Sequence, residues 1–189
     1  MNIALYGGKF DPPHLGHKLL IDEVLRRLKF IDEVWIIPAK SHPWRKIETS
    51  GTCRLQMLLF WESGRVKVLD IDLKRVGETR TIDTIKDLKR LYPENNYFWI
   101  CGSDTVATFD KWKSFKKLIE LMKFYVYPRP GYELTTLPSG FFWIPGMKLP
   151  RRDYSSTEIR QALKTKKKIG NFLTPEIYNY ILENHLYLA

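Results

Sequence analysis

The chain has 189 residues, of which 44% are hydrophobic and 28% are charged. This composition is typical of a globular domain, and no stretch approaches the roughly 20 consecutive apolar residues of a transmembrane helix. The formal net charge of +10 favours an anionic partner, such as nucleic acid, an anionic membrane surface or a phosphorylated small molecule. Two cysteines predict no disulfide framework, and the N-terminus lacks a signal-peptide pattern, so the cytoplasm is the expected location.

Short apolar runs alternate with segments of helical periodicity along most of the chain. The runs predict strands at residues 2–6, 33–37, 66–71, 97–101, 124–127 and 141–144. Helices are predicted at residues 16–29, 52–62, 81–91 and 115–122, and two more begin at the capping residues Ser155 and Thr174. This alternation indicates an α/β fold, a Rossmann-like parallel sheet with helices on both faces and a small helical C-terminal portion. We expect one domain over 1–189, with the core at 1–150 and the helical portion at 151–189.

One segment separates the first predicted strand from the first helix and reads GGKFDPPHLGH over residues 7–17. Such a turn places free backbone N–H groups and the positive end of a helix dipole at the carboxyl edge of the sheet, where anions bind. Gly7 and Gly8 are expected to let the chain turn sharply beside a ligand. His14 and His17 are three residues apart, so both imidazoles share one face and can donate hydrogen bonds to phosphate oxygens.

Other functions stay open for this segment when it is taken alone. Paired histidines can bind a metal ion, although no third ligand lies nearby in the sequence. The glycines fit neither the Gly-x-Gly-x-x-Gly turn of dinucleotide-binding proteins nor a Walker loop. The segment therefore predicts a phosphate site without specifying the ligand.

A second candidate phosphate site lies near the C-terminus, where residues 155–160 read SSTEIR. Hydroxyl side chains and free N–H groups occupy the first turn of the predicted helix, and the helix dipole favours an anion there. Arg160 follows Ser156 by four residues and Thr157 by three, so its guanidinium shares their face. A capped surface helix with an ordinary arginine explains the same residues, and the segment alone does not decide between the two.

Together the two segments resemble the signature motifs of the nucleotidylyltransferase superfamily, His-x-Gly-His near the N-terminus and Ser-Ser-Thr-x-x-Arg near the C-terminus. The resemblance implies an ATP site formed by Gly7, Gly8, Phe10, His14, His17, Ser155, Ser156, Thr157 and Arg160. It also implies catalytic roles for three of these residues. The imidazoles of His14 and His17 would contact the triphosphate, and the guanidinium of Arg160 would contact the departing pyrophosphate.

Segments in the middle of the chain resemble the bacterial nicotinate mononucleotide adenylyltransferase family. The resemblance extends over nearly the whole chain. The segments are IIP at 36–38, GETRTIDT at 77–84, GSD at 102–104 with Trp112, and RPGY at 129–132. The resemblance implies that Thr81 and nearby amides bind the nicotinate carboxylate, and that Asp104 lies near a ribose. It also implies that Trp112 stacks on the pyridine ring, for which an indole offers flat contact. A core role for Trp112 and a capping role for Asp104 stay open as alternatives.

The loop after the second strand is also expected to contact substrate, through Lys40 and Arg45. The family usually carries Pro-Pro-His-Lys there, whereas this chain has Trp44 in the place of the histidine. The family also favours tyrosine where this chain has Arg80. Trp44 takes away the histidine donor of that loop, and Arg80 bears on the choice between acid and amide forms of the pyridine.

The resemblance implies transfer of AMP from ATP to nicotinate mononucleotide, which yields nicotinate adenine dinucleotide and pyrophosphate. Mg²⁺ is expected to enter with ATP, held by phosphate oxygens and water rather than by a protein metal site. No nucleic-acid or membrane partner is expected, and the sequence leaves a homo-oligomer open. Two alternatives also stay open: an adenylyltransferase for nicotinamide mononucleotide or another phosphorylated acceptor, and a noncatalytic protein that binds nucleotide or nucleic acid.

Overall fold

The computed structural model describes residues 1–41, 46–148, 155–167, 169 and 171–188. Its strands are β1 (Asn2–Gly8), β2 (Glu33–Pro38), β3 (Val66–Val68), β4 (Asn96–Gly102), β5 (Lys123–Tyr127) and β6 (Phe141–Trp143). They form one parallel sheet in the order β3-β2-β1-β4-β5-β6. In this doubly wound order the strand sequence reverses between β1 and β4, which opens a crevice at their carboxyl ends.

Helices connect the strands and follow the last one. They are α1 (Leu15–Arg27), α2 (Gly51–Leu59), α3 (Ile71–Lys74), α4 (Thr81–Leu91), α5 (Ser103–Val106), α6 (Phe115–Leu121), α7 (Ser156–Lys164) and α8 (Pro175–Glu183), with a 3-10 turn at Phe109–Lys111. None of the helices among the described residues combines the length and the apolar character that crossing a bilayer requires.

Strand β1 shows why helices lie on both faces of the sheet. Its side chains alternate, so Ile3 and Leu5 pack on one face and Ala4 and Tyr6 on the other. Helices α4 and α6 cover the first face, whereas α1, α2, α7 and α8 cover the second. All six residues of β2 are buried, as expected for a strand that is covered on both sides. The predicted α/β fold with a Rossmann-like parallel sheet is confirmed.

The two C-terminal helices begin where their capping residues predict. The Ser155 hydroxyl accepts the Glu158 N–H at 3.5 Å, and the Thr174 hydroxyl accepts the Ile177 N–H at 3.5 Å. Pro175 occupies the first position of α8, where its missing N–H costs no hydrogen bond. Both helices bury apolar side chains in the same core cluster as α1, which fixes the start of α7 against the sheet.

The strand expected at 66–71 is shorter than the sequence indicates. It ends at Val68, and the short helix α3 begins at Ile71. Strand β3 lies at the edge of the sheet and pairs with β2 over three residues, so a β-branched side chain beyond Val68 has no strand to pair with.

The buried face of α4 ends before the helix does. Ile82, Ile85 and Leu88 are buried, whereas Leu91 is 51% exposed. Nine residues separate Ile82 from Leu91, and at roughly 100° a residue this spacing carries Leu91 to the opposite side of the helix. Apolar side chains placed at every third residue therefore move progressively away from the buried face of an α-helix.

Candidate active site

A cavity of about 1070 Å³ opens at the carboxyl ends of β1 and β4, at the crevice that the strand order creates. Among the described residues, eight cationic side chains line it, against three carboxylates from Glu23, Asp72 and Asp104. The cations are Lys9, Arg27, Arg80, Lys111, Lys113, Arg129, Lys148 and Arg160. Part of the net positive charge of the chain is therefore concentrated at this cavity, which favours an anionic ligand.

Most of the sequence-predicted site residues line this one cavity. They are Gly7, Gly8, Phe10, His14, His17, Thr81, Asp104, Trp112, Ser155, Ser156, Thr157 and Arg160. Lys40 does not line it, since its ammonium donates to the Arg75 carbonyl at 2.5 Å and it borders a smaller, separate pocket. Arg45 and Trp44 lie outside the described residues. The structure thus brings the two distant motifs and the middle segments together.

The two histidines form a stacked pair at the start of α1. Their ring centroids are 3.7 Å apart with an interplanar angle of 23°, and Phe10 packs edge-on against His17 at 5.0 Å. The backbone N–H of His14 donates to Nδ1 of His17 at 3.2 Å. A neutral imidazole carries one N–H, so this contact assigns the His17 proton to Nε2 and makes that nitrogen a hydrogen-bond donor.

Both imidazoles are held neutral. Burial, together with the positive charge of Arg129, lowers the pKa of His14 from 6.5 to about 3. Burial also lowers the pKa of His17 well below its ordinary value, with further contributions from His14 and Arg129. Two protonated rings in stacked contact would repel each other, and the neutral pair avoids this cost. The pair therefore offers neutral N–H donors at physiological pH.

The lowered pKa of His14 predicts a pH dependence of stability. The unfolded chain protonates this residue near pH 6.5, whereas the folded chain keeps it neutral down to about pH 3. The unfolded state thus binds more protons in this window, so the free energy of unfolding falls as the pH is lowered. Between pH 7 and pH 5 we expect the wild type to lose about 2 kcal/mol more than His14→Gln, measured by urea denaturation. Parallel pH profiles for the two proteins would contradict the lowered pKa.

The sharp turn expected at Gly7 and Gly8 is wrong, although both glycines line the cavity. Gly7 and Gly8 are extended strand residues, so the chain does not turn sharply there, and Phe10 takes the left-handed conformation with φ of 51°. A Cβ atom on Gly7 would lie 2.7 Å from the Trp99 ring. The absence of a side chain lets Trp99 lie across β1, and Trp112 packs edge-on against Trp99 with centroids 6.1 Å apart.

The start of α7 is tied directly to the N-terminal loop. The Ser156 hydroxyl donates to the Pro12 carbonyl at 3.0 Å, and Nη1 of Arg160 donates to the Asp11 carbonyl at 2.7 Å. Nη2 of Arg160 also donates to the Thr157 hydroxyl at 3.4 Å, as the shared helix face predicts. More than 140 residues separate the partners in the chain, so only folding brings the two candidate phosphate sites into contact.

On the far side of the crevice, Thr81 is the first residue of α4 and Arg80 caps this helix with extended backbone. The first amides of a helix have no partner within it, so this end can donate to an anion. The Arg80 guanidinium pairs with the Glu78 carboxylate. The helix start is anchored by the Thr84 hydroxyl, which donates to the buried Asp72 carboxylate at 2.6 Å.

Sequence reasoning missed Arg129 as a candidate site residue. Its backbone N–H donates to the buried Ser103 hydroxyl at 2.9 Å, and its Nε lies 3.8 Å from the Asp104 carboxylate. A Cβ atom on Gly102 would lie 2.5 Å from Cδ of Arg129 and would also collide with Asp104. Arg129 lies two residues after the carboxyl end of β5. A charged residue at this position of a predicted parallel strand indicates a binding role, because the crevice lies at the carboxyl ends of the strands.

A buried arginine that sequence reasoning also missed fixes the N-terminal loop. Arg54 of α2 is 1% exposed, and its Nη1 donates to the Lys9 carbonyl at 2.7 Å while its Nε donates to the Thr49 carbonyl at 3.2 Å. The sequence indicates a buried role for Arg54, because this charged residue lies on the same face of α2 as Met57 and Leu58, which are both buried.

Among the described residues, no group of three or more His, Cys, Asp or Glu side chains is placed to hold a metal ion. The cavity wall is instead rich in hydrogen-bond donors and cations, which suit phosphate oxygens better than a bare cation.

Comparison with known proteins identifies the family. The profile described as cytidylyltransferase-like matches residues 5–162. The "Probable nicotinate-nucleotide adenylyltransferase" of Oceanobacillus iheyensis is 39% identical over 189 residues, covering 98% of this chain and 96% of the relative. The "Nicotinate-nucleotide adenylyltransferase" of Bacillus subtilis is 33% identical over 189 residues, covering 98% of this chain and 97% of the relative. The chain belongs to the nicotinate-nucleotide adenylyltransferase family.

Solved adenylyltransferases share the fold of this family member. The Plasmodium falciparum nicotinic acid mononucleotide adenylyltransferase complexed with NaAD superposes with a TM-score of 0.78 at 22% identity, covering 98% of this chain and 97% of that one. The same enzyme complexed with APC gives a TM-score of 0.77 at 22% identity, with 98% and 96% coverage. The Rossmann-like architecture inferred from the strand order is therefore shared with these solved structures.

Proposed function

We propose that this chain transfers AMP from ATP to nicotinate mononucleotide, forming nicotinate adenine dinucleotide and releasing pyrophosphate. One observation carries the proposal: a single cavity is lined both by the histidine pair with Arg160 and by Thr81, Asp104 and Trp112. A donor nucleotide and an acceptor nucleotide can therefore bind side by side, as a transfer between them requires.

The phosphates of ATP would bind between the N-terminal loop and α7. Nε2–H of His17, whose proton position follows from the His14 amide contact, would donate to an oxygen of the α-phosphate. Ser155, Ser156 and Thr157 line the cavity at the helix start, where free amides and the helix dipole favour the β- and γ-phosphates. The guanidinium of Arg160 would stabilise the negative charge that develops on the pyrophosphate.

The acceptor would occupy the part of the cavity near α4 and the 3-10 turn. The first amides of α4 and the Thr81 hydroxyl would bind the nicotinate carboxylate, and Asp104 would accept a hydrogen bond from a ribose hydroxyl. Trp112 is half-buried and packs against Trp99, so its indole is held in place before the acceptor binds. The indole would stack on the pyridine ring with little loss of side-chain entropy.

The reaction is an in-line displacement at the α-phosphorus of ATP. An oxygen of the acceptor 5′-phosphate forms the new P–O bond, and the bond from the α-phosphorus to the bridging oxygen breaks. The electron pair of that bond leaves with pyrophosphate. The attacking phosphate is already ionised at neutral pH, so no general base is needed, and catalysis comes from alignment and charge stabilisation.

ATP would bind as its Mg²⁺ complex, so the metal ion enters as part of the substrate. The cavity supplies cations and N–H donors, and the described residues form no cluster of metal ligands. Phosphate oxygens and water would therefore hold most of the coordination sphere of Mg²⁺. We place the reaction in the cytoplasm, in keeping with the free thiols of Cys53 and Cys101.

Release of pyrophosphate from ATP tests this function directly. The purified chain is assayed with MgATP alone, with added nicotinate mononucleotide and with added nicotinamide mononucleotide. We expect release with nicotinate mononucleotide, and kcat/KM at least about tenfold higher than with the amide, because a carboxylate accepts charge-assisted hydrogen bonds. A preference for the amide would favour the related adenylyltransferase activity. Release with neither acceptor would refute the proposal.

A further inference from the structure

A carboxylate outside the signature motifs holds the arginine of α7. The Glu48 side chain lies 33% exposed beside α7. Its Oε1 accepts the Nε–H of Arg160 at 2.9 Å, and its Oε2 accepts from the Lys164 ammonium at 3.0 Å. Arg160 and Lys164 lie one helical turn apart on α7, so one carboxylate bridges both cations.

The contacts of Arg160 divide its five N–H donors into two sets. Nε donates to Glu48, one Nη1 hydrogen to the Asp11 carbonyl and one Nη2 hydrogen to the Thr157 hydroxyl. Within the described part of the chain these acceptors account for three donors, which leaves one N–H on each Nη nitrogen. Arg160 lines the cavity and its side chain is 11% exposed, so these two N–H groups are available to a ligand bound in the cavity.

Glu48 is itself held in place by the signature loop. Its backbone N–H donates to Oδ2 of Asp11 at 2.7 Å, and Oδ1 of the same carboxylate accepts the Tyr187 hydroxyl at 2.7 Å. Asp11 is 1% exposed, so this anchor is buried. The Glu48 backbone and the Arg160 side chain therefore both bond to Asp11, and their relative position is fixed through one residue.

The position of the Glu48 contact distinguishes support of Arg160 from competition with ATP. A competing carboxylate would occupy the Nη edge of the guanidinium, where a phosphate binds with two parallel hydrogen bonds. Glu48 instead takes the Nε–H and leaves the Nη nitrogens with free hydrogens. The hydrogen bond from Lys164 lowers the pKa of the Glu48 carboxyl against the opposing effect of burial, and Arg160 lowers it further, so the carboxylate stays charged.

We propose that Glu48 is a positioning residue for adenylyl transfer, whose carboxylate fixes the guanidinium of Arg160 so that its Nη groups meet the phosphates of ATP. This inference rests on the proposed use of ATP and adds a residue that belongs to neither signature motif. Glu48 does not touch the reacting atoms and acts through Arg160 alone.

The test compares Glu48→Gln with Glu94→Gln, a control at an exposed carboxylate that does not line the cavity. For Glu48→Gln we expect the KM for ATP to rise about five- to tenfold, since a charge-assisted hydrogen bond becomes a neutral one. The KM for nicotinate mononucleotide and the thermal midpoint of unfolding should stay within about twofold and about 2 °C of the wild type, as for a partly exposed ion pair. Glu94→Gln should match the wild type in all three values.

A double variant tests whether Glu48 acts through Arg160. Methionine has a length similar to that of Arg160 but carries no N–H donor and no charge for Glu48, so Arg160→Met should weaken ATP binding by itself. Adding Glu48→Gln to Arg160→Met should then cause no further loss, because the interaction is already absent. Independent, additive losses would overturn the proposal.

Three further results would also overturn it. A lower KM for ATP in Glu48→Gln would show competition with the phosphates. An equal rise in both Michaelis constants with a lower unfolding midpoint would show a purely structural role. Titration calorimetry with MgATP reports on Glu48 without any acceptor, so failure of this inference is distinguishable from failure of the proposed acceptor. In that experiment an ATP affinity of Glu48→Gln equal to that of the wild type would refute the positioning role.

Discussion

Replacing His17 by alanine is expected to lower kcat by about a hundred- to a thousandfold, the effect of removing one preorganised donor to transition-state charge. The structure gives the reason, because the contact from the His14 amide to Nδ1 leaves the proton on Nε2, and the ring lines the cavity. The measurement is pyrophosphate release under saturating MgATP and nicotinate mononucleotide. His17→Gln should retain more activity than His17→Ala, since its side-chain amide can place an N–H near the position of Nε2.

The control for this prediction is His185→Ala, which removes an exposed histidine that does not line the cavity. It should retain the turnover of the wild type. Urea denaturation of His17→Ala should give a cooperative transition, because the core clusters on both faces of the sheet do not include this side chain. Turnover of His17→Ala near that of the wild type would contradict the assigned donor role.

Replacing Trp112 by alanine is expected to raise the KM for nicotinate mononucleotide by about ten- to a hundredfold, the range for losing one aromatic stacking partner. The KM for ATP should change much less, because the proposed phosphate site lies at the N-terminal loop and the start of α7. Trp112 packs edge-on against Trp99 and at a tilt against Phe109, so its ring is held before the acceptor binds. The measurement is the Michaelis constant of each substrate with the other at saturation.

Two variants control for this prediction. Trp112→Phe keeps an aromatic face and should recover much of the lost affinity for the acceptor. Trp143→Ala removes a tryptophan of β6 that is 37% exposed and does not line the cavity, so it should leave both Michaelis constants unchanged. If Trp112→Ala raised the KM for ATP as much as that for the pyridine nucleotide, Trp112 would be a packing residue, as the sequence alone also allowed.

Local patterns predicted the secondary structure well where the physical cause is local. Helix α4 begins at Thr81 and ends at Leu91 as expected, and α8 begins at Pro175 after its Thr174 cap. Errors arose where a distant partner decides the outcome. Strand β3 stops at Val68 because its pairing with β2 ends there, a limit that the residues themselves do not encode.

The same distinction between local and long-range causes applies to the residues of the candidate site. The histidine spacing predicted a pair on one face at a helix start, and the rings do stack there. The sequence could not predict that Gly7 makes room for Trp99, because that contact joins β1 to β4. Arg54, Arg129 and Glu48 were missed for the same reason, since each acquires its role from residues far away in the chain.

The sequence by itself determined the family of the chain, its alternating strands and helices, and the two motifs proposed to bind the phosphates of ATP, because these depend on residue type and short spacing. The tertiary structure alone decided that both motifs line one cavity with Thr81, Asp104 and Trp112. It also decided the neutral state of the histidines, which follows from burial and from Arg129. Burial and long-range contacts exist only after folding, so no local pattern specifies them.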